Sequence, residues 1–267
     1  MRFFNEFLGT EMEVPDSPQR IVSLAPDMTE MVFRLGMGDA LVGVSLYCRR
    51  PAGKVDHLPR VGAYLKVVWE RLEALKPDLV LTTLGAQRET TRQLLERGYP
   101  VVALPVPLSV WGILENLRRL AAVVGRVAEA EAENARLVAR LGELRGALPR
   151  LRVYWEVDLG GPITAGGMTY VTDALHWLGL QNVYADQPRA YFQPDDEETR
   201  RRAPDLILYE PRRTREPRDD HWRAMLRERL GLDTPILVLP HDSLAHYGPG
   251  LVDEVMTQIV RRIKEGE

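Results

Sequence analysis

The first half of the chain alternates between short apolar runs and segments in which apolar residues have helical spacing. The run at 20–24 predicts a strand, and the apolar positions that follow it predict a helix. We expect Asp27 to cap this helix, with Glu30 completing a capping box, and Gly36 to end it. The same pattern predicts strands at 41–44, 78–82 and 101–104 and helices at 69–75 and 89–97.

The second half repeats this alternation. It predicts strands at 152–157, 206–209 and 236–239 and helices at 169–178 and 252–263. Strands that alternate with helices of this length are typical of parallel sheets flanked by helices. We therefore predict an α/β fold with two Rossmann-like lobes, each built on a parallel sheet.

The segment 127–148 between the two halves is rich in Ala, Glu, Leu and Arg. Leu137, Leu141, Leu144 and Leu148 lie on one face of a predicted helix. A helix of roughly 20 residues spans about 30 Å, the width of a small domain. The segment is therefore either a rigid connection between two lobes or an amphipathic surface helix within one domain. The first alternative gives an N-terminal lobe at 1–125, a backbone helix at 126–149 and a C-terminal lobe at 150–267.

Composition narrows the functional classes. The 267 residues are 45% hydrophobic and 27% charged, and a net charge of -3 gives no electrostatic reason to expect nucleic acid or an anionic membrane surface. The single cysteine, Cys48, excludes an internal disulfide and any CxxC metal site. The stretch Met1–Gly9 lacks the apolar core of a secretory leader, and no apolar run approaches the roughly 20 residues of a membrane helix. We expect a cytoplasmic protein as written, or a periplasmic or surface-anchored one if a leader was removed.

Enzyme motifs are weak. Gly36, Gly38 and Gly43 form a GxGxxxxG string, but it follows a predicted helix instead of opening one after a strand, as a nucleotide loop would. No GxSxG, Walker lysine or HExxH is present. We interpret Cys48 as a small buried or cleft-lining thiol rather than a nucleophile. We therefore expect that the chain is not an enzyme.

Four segments resemble one family in order and spacing. Residues 20–51 (RIVSLAPDMTEMVFRLGMGDALVGVSLYCRRP) are similar to the opening of cobalamin and ferric-siderophore receptors, the helical-backbone (class III) solute-binding proteins of ABC importers. Similar elements follow at 69–81 (WERLEALKPDLVL), at 163–186 (with TAGG and LGLQNVYAD) and at 203–208 (APDLIL). The resemblance implies that the helix at 126–149 is the interlobe backbone.

Candidate ligand contacts lie at the predicted strand ends. Parallel α/β lobes bind ligands at the carboxyl ends of their strands, so two facing lobes would share one cleft. The candidates are Pro26, Tyr47, Tyr64 and Gly85 in the first lobe and Trp155, Gly166, His241, Ser243, His246 and Tyr247 in the second. This mostly uncharged, aromatic set suits a flat, partly apolar ligand, although core packing is the alternative for each ring. Tyr47, Tyr64 and Trp155 resemble the ring-contacting positions of the family.

The last candidate loop departs from the corrinoid receptors. Those receptors usually carry a Trp where this chain has Ser243, which His241, His246 and Tyr247 surround. A histidine there could ligate cobalt or iron axially, and an ordinary surface histidine is the alternative. A free-metal receptor needs three or four converging ligands, so we predict no metal site. We likewise expect no intrinsic cofactor, only a bound ligand such as cobalamin or a ferric chelate.

Two carboxylates match positions that dock on a permease. In relatives that feed an importer, one Glu on each lobe pairs with permease arginines, and Glu70 and Glu197 match these positions. Both begin predicted helices, where the helix dipole alone favours a carboxylate. The resemblance implies a monomer that can partner an ABC permease.

The sequence leaves several functions open. The first is a solute-binding protein that holds a corrinoid or related metal chelate in the cleft between two lobes, for ABC-type import or for intracellular handling. Ferric-siderophore or haem binding is an alternative within the same class. A different class is a cytoplasmic interaction or assembly protein that retains the receptor fold.

Overall fold

A computed structural model of the chain describes residues 2–5, 9–214 and 218–266. Of the N-terminal stretch analysed for a leader, residues 1 and 6–8 lie outside the described residues. The chain divides into two compact units. The first comprises Met1–Pro107 and Ile113–Leu137, and the second comprises Leu108–Gly112 and Val138–Glu267.

The first unit contains a four-stranded parallel sheet with the strand order β4-β3-β5-β6. A separate antiparallel pair, β1 and β2, precedes it. The elements that lie wholly in this unit are β1 Arg2–Asn5, β2 Thr10–Glu13, β3 Ile21–Ser23, α1 Pro26–Arg34, β4 Leu41–Val44, α2 Trp69–Leu75, β5 Leu79–Thr83, α3 Arg88–Glu96 and β6 Val101–Leu104. A 3₁₀ turn at Gly38–Ala40 joins α1 to β4. The strands and helices predicted for this half are confirmed to within one residue at most ends.

Both faces of this sheet are buried. Ile21, Leu79 and Leu81 belong to the core cluster that contains residues of α1, and Val22 and Val80 belong to the cluster that contains residues of α2 and α3. Alternate residues of one strand therefore enter opposite cores, as expected for a parallel sheet with helices on both sides. Each fully buried aliphatic side chain contributes about 1.5–3 kcal/mol through removal from water.

The capping predicted for α1 is wrong at its first residue and correct at its last. Ala25 occupies the N-cap without a side-chain hydrogen bond, and Asp27 lies inside the first turn. Pro26 explains the shift, because its fixed φ and missing N–H suit the first helical position. Gly36 follows the helix with a φ of +70°, as predicted.

The second unit contains a mixed sheet with the order β10-β8-β7-β11-β12, in which β9 also pairs with β7. Its elements are β7 Arg152–Asp158, β8 Pro162–Ala165, α6 Tyr170–Trp177, β9 Gln181–Asn182, β10 Tyr191–Phe192, α7 Asp196–Arg201, β11 Leu206–Glu210, α8 Asp219–Leu230, β12 Ile236–Val238 and α9 Met256–Glu265. A π-helical turn at Leu251–Val255 leads into α9.

The prediction of a purely parallel second sheet is wrong for one strand, β8. β7 is parallel to β9 and β11, and β11 is parallel to β12, but β8 is antiparallel to both β7 and β10. The reversal occurs at Leu159–Gly161, where Gly160 has a φ of +99° and the N–H of Leu159 donates to the carbonyl of Gly161 at 3.2 Å. A glycine reaches this left-handed conformation at little steric cost.

Two further helices are α4 Val110–Val124 and α5 Val127–Leu144, and the division between the units falls within both. The predicted long helix is confirmed as one helix but ends at Leu144 instead of 148. The chain turns at Gly146, which has a φ of +61°, and the N–H of Leu148 donates to the carbonyl of Leu178. The four leucines predicted to share a face are all buried. The role of α5 as an interlobe backbone stays a prediction.

Candidate functional site

The carboxyl edge of the first sheet carries exposed apolar side chains. β3, β4 and β5 are parallel, so the loops that follow them emerge at the same edge. Leu46 is 48% exposed, Tyr47 is 52% exposed and Leu65 is 59% exposed. Large apolar residues that remain exposed close to one another are typical of a binding surface.

Tyr64 is anchored at this edge. Its ring is half-buried against the first core, and its hydroxyl makes a 2.8 Å hydrogen bond with Thr83 Oγ1 at the end of β5. Tyr64 therefore lies beside the carboxyl end of β5. Its role as a ligand contact stays a prediction.

The loop that carries Tyr47 is fixed through its backbone. The half-buried Arg60 guanidinium donates to the carbonyls of Ser45, Cys48 and Val55 at 3.1, 2.7 and 3.1 Å. The N–H of Tyr47 donates to Ser45 Oγ at 3.3 Å. The side chain of Tyr47 thus projects from a loop whose backbone is already ordered, which lowers the entropy lost when a ligand binds.

Gln87 connects three loops of the same edge and was not found from the sequence. It is completely buried at the N-cap of α3. Its Oε1 accepts the N–H of Thr83 at 2.8 Å, and its Nε2 donates to the carbonyls of Leu24 and Tyr64 at 3.0 and 2.7 Å. The only sequence signal is a polar side chain four residues after a strand end, and many loops share it.

Two further candidates of the first unit, Pro26 and Gly85, have roles in backbone conformation. Pro26 is half-buried at the start of α1, and Gly85 is exposed with a φ of +101°, which favours glycine. Cys48 is fully buried with its Sγ 3.2 Å from Ser45 Oγ, and burial raises the pKa of the thiol. A buried thiol with a raised pKa is a poor nucleophile, which agrees with its interpretation as a structural residue.

Glu210 organises the carboxyl edge of the second sheet. It ends β11 and is completely buried. Its Oε1 accepts the N–H of Ser243 at 2.9 Å, and its Oε2 accepts the N–H of Ala245 at 3.1 Å. The pKa of Glu210 is raised from 4.5 to about 7, chiefly by burial and then by the charge of Asp242, and the backbone N–H groups of residues 243–245 limit the rise. The carboxylate therefore holds the 243–245 loop at an electrostatic cost.

Tyrosines lie against the same loop. Tyr170 is buried and its hydroxyl donates to the carbonyl of Leu244 at 2.8 Å. Its ring centroid lies 5.6 Å from that of Tyr247, which is half-buried. Burial raises the pKa of Tyr170 well above its usual value, so the hydroxyl stays a hydrogen-bond donor.

The other candidates of this loop differ in how exposed their side chains are. His241 is exposed, with Nδ1 3.3 Å from the carbonyl oxygen of Pro211. Ser243 and His246 are buried, and the hydroxyl of Ser243 donates to the carbonyl of Pro240 at 2.6 Å. Within residues 2–5, 9–214 and 218–266, no group of three His, Cys, Asp or Glu side chains is arranged to hold a metal ion.

Trp155 does not lie at a strand end, so that prediction is wrong. β7 continues to Asp158, and Trp155 pairs with Leu208 in the middle of the sheet with 1% of its surface exposed. Among the described residues, its indole N–H has no hydrogen-bond partner. Glu156, the next residue of β7, is likewise buried, and its carboxylate pairs with Arg229.

Gly166 has a packing role. Its N–H donates to the carbonyl of Ala190 at 2.7 Å, and a Cβ at this position would lie 2.2 Å from the carbonyl oxygen of Arg189. The close approach of the two backbones requires glycine whether or not a ligand binds. Contact between Trp155 or Gly166 and a ligand stays a prediction.

The two predicted docking carboxylates are exposed. Glu70 lies in the first turn of α2 and Glu197 in the first turn of α7. Each is therefore available to a partner and also favourably placed near a helix N-terminus. The docking role stays a prediction.

Comparison with known proteins identifies the family. The model of the family described as "Periplasmic binding protein" matches residues 21–224. The chain belongs to this family. It is 30% identical over 197 residues, 72% of this chain and 71% of the relative, to the vitamin B12-binding protein of Pectobacterium carotovorum. The family and this relative are binding proteins and not enzymes, as the sequence predicts.

Two solved structures share the fold. The periplasmic haem-binding protein RhuT of Roseiflexus sp. RS-1 aligns with a TM-score of 0.76 and 25% identity over 91% of this chain and 97% of its own. The periplasmic vitamin B12-binding protein BtuF of Vibrio cholerae aligns with a TM-score of 0.74 and 23% identity over 92% of this chain and 97% of its own, a similarity of fold alone. The predicted α/β class is therefore confirmed.

Among the described residues, no helix combines the length and the apolar character that crossing a membrane requires.

Proposed function

We propose that the chain binds a corrinoid of the cobalamin type and that the carboxyl edge of the first sheet is a contact surface for it. The observation that carries the proposal is the set of exposed apolar side chains Leu46, Tyr47 and Leu65 on two loops that a hydrogen bond from the N–H of Leu46 to the carbonyl of Gly62 joins at 2.8 Å. A large flat ligand is bound best by ring faces and aliphatic side chains with a few polar anchors. The vitamin B12-binding relative supports this ligand class.

In the second unit we propose ligand contacts from His241 and Tyr247. They are the predicted residues of the last loop that combine a ring with accessible surface, whereas Ser243 and His246 are buried. The carboxyl group of Glu210 holds this loop by accepting hydrogen bonds from the N–H groups of residues 243 and 245. The polar groups of the loop are thus held before the ligand arrives.

Haem is the second candidate ligand. The haem-binding RhuT is 25% identical to this chain and aligns over 91% of it. Haem iron in proteins is ligated axially by His or Tyr, and the exposed side chains of His241 and Tyr47 are of these types. A ferric siderophore is a further member of the same ligand class.

Calorimetry with cyanocobalamin, hemin and a ferric catecholate tests the proposal. We expect submicromolar affinity for at least one of them and, for that ligand, about a tenfold loss in Tyr47→Ala, equivalent to about 1.4 kcal/mol. Val138→Ala is the matched control, because Val138 is a similarly exposed apolar residue on α5.

The absence of heat with all three ligands would contradict the binding function. An equal loss of affinity in Tyr47→Ala and Val138→Ala would contradict only the assignment of the edge.

We further propose that the protein delivers its ligand to an ABC permease outside the cytoplasmic membrane, in keeping with the family's description as periplasmic. Glu70 and Glu197 would form the docking contacts because both are exposed carboxylates. In Glu70→Lys/Glu197→Lys, ligand affinity should be unchanged while stimulation of the permease ATPase is lost. Unchanged stimulation would exclude these residues as the contacts.

A further inference from the structure

A cavity of about 420 Å³ lies at the carboxyl ends of β11 and β12 in the second unit. Its described walls come from residues 211–214 after β11, from the start of α8, from the end of β12 with the three residues that follow it, and from one side chain of α9. The volume is within the range of sites that hold a small molecule or the side group of a larger one. All of the lining residues used below lie within 9–214 and 218–266.

The lining is strongly basic. Arg212, Arg213, Arg218 and Arg262 contribute guanidinium groups, and Asp219 contributes the one carboxylate among the described lining residues. The described lining residues therefore carry a net charge of about +3, although the whole chain carries -3. Such a concentration of positive charge in a concave site attracts anions.

The four arginines differ in the hydrogen bonds and ion pairs that they form within the protein. Arg262 donates to the carbonyl of Val238 at 2.8 Å, which fixes it in the wall. Arg212 is mostly exposed and lies 3.7 Å from Asp158, a loose ion pair. Arg213 and Arg218 are exposed and form no ion pair with another residue in the described part of the chain. Two guanidinium groups are thus available to a ligand.

The remaining geometry suits an oxyanion. A guanidinium presents parallel N–H donors that match the oxygens of a carboxylate or phosphate. α8 begins at Asp219 beside the cavity, and its N-terminal end adds a partial positive charge. Trp222 is 5% exposed and supplies an apolar wall that lowers the local dielectric.

We propose that this cavity is an anion site that binds a carboxylate or phosphate group, with Arg213 and Arg218 as its principal donors. The anion has two possible sources. It is an acidic substituent of the bound chelate, which rests on the proposed function, or it is a free small anion. Its recognition does not require the aromatic edge of the first unit.

The first arm of the test uses inorganic pyrophosphate and citrate. We expect the wild type to bind one of them by calorimetry and to lose affinity as NaCl is raised from about 20 to about 300 mM, because screening weakens exposed charge pairs. Arg213→Ser/Arg218→Ser should bind at least tenfold more weakly. Arg227→Ser is the matched control, because Arg227 is an exposed arginine of α8 outside the cavity. Circular dichroism verifies that each variant is folded.

The second arm distinguishes the sources of the anion. If the chelate supplies it, the double variant weakens hemin binding about tenfold but leaves hemin dimethyl ester unaffected, and it weakens cyanocobalamin more than dicyanocobinamide, which lacks the phosphate. If pyrophosphate or citrate binds but no chelate does, the anion site stands and the proposed function fails. If neither small anion binds, or if Arg227→Ser loses as much affinity as the double variant, the anion site is refuted whatever the chelates do.

Discussion

The buried carboxyl of Glu210 makes the stability of the protein depend on pH in a direction that can be measured. Its pKa in the folded protein is about 7, against an ordinary value of 4.5. Below pH 4.5 the group is protonated in both the folded and the unfolded states. As the pH rises towards 7, the unfolded chain releases the proton before the folded protein does, so the free energy of unfolding falls.

The size of this loss follows from the shift. One pKa unit corresponds to 1.36 kcal/mol, so a shift from 4.5 to about 7 lowers the free energy of unfolding by about 3 kcal/mol between these two pH values. Glu210→Gln keeps the shape of the side chain but does not titrate. We expect the variant to lack this component of the pH dependence, although at high pH it also loses one acceptor for the N–H groups of residues 243 and 245.

Urea unfolding followed by circular dichroism between pH 4.5 and pH 8 gives the measurement. The free energy of unfolding of Glu210→Gln minus that of the wild type should rise by about 3 kcal/mol across this range, while titrations common to both proteins cancel. Glu228→Gln, which removes an exposed carboxylate of α8, is the matched control for the loss of one carboxylate.

Parallel pH profiles for Glu210→Gln and the wild type would refute this reasoning. They would mean that the backbone N–H donors fully offset the cost of burying the charge.

Three further predictions concern stability. Gly166→Ala should lower the free energy of unfolding by about 1–3 kcal/mol, because the new Cβ meets the carbonyl oxygen of Arg189 at 2.2 Å. Gly142→Ala on α5 should raise it by about 0.5–1 kcal/mol, since the position is an exposed helix interior with open space around it. Gln87→Leu should lower it by about 3 kcal/mol or more, because the N–H of Thr83 and two backbone carbonyls lose a buried partner at about 1–3 kcal/mol each.

Chemical denaturation of the purified variants measures all three effects. An unchanged midpoint in Gly166→Ala would show that the two backbones can separate at little cost. A less stable Gly142→Ala would mean that the substituted side chain meets a group not seen in the structure, and a neutral Gln87→Leu would mean that water replaces the lost hydrogen bonds.

The fold could be predicted where local chemistry and tertiary structure agree. The strands at 41–44 and 101–104 are short apolar runs bounded by turn residues. The helices that precede them, α1 and α3, are followed by Gly36 and Gly98, both at positive φ. α8 was not predicted, because its buried residues Trp222, Leu226 and Leu230 form a narrow stripe within a largely charged segment. The capping box failed because α1 begins at Pro26, which moves the N-cap two residues back from Asp27 to Ala25.

The site could be predicted only in outline. The rule that ligands bind at the carboxyl ends of parallel strands located Tyr47 and Tyr64 correctly at one edge. It misplaced Trp155, which pairs with Leu208 in the middle of β7, three residues before the strand ends at Asp158. The Gln87 contact with Leu24 spans 63 residues, and nothing near either residue in the sequence indicates it.

The clamps formed by Gln87 and Arg60 have a consequence for engineering. Both residues hold the loops by their backbone atoms, so the exposed side chains at positions 46, 47 and 65 contribute little to that support. A library randomised at these three positions should therefore yield mostly folded members. The first unit thus offers a ready scaffold for selecting receptors for new flat ligands, with the loop geometry inherited unchanged from Gln87 and Arg60.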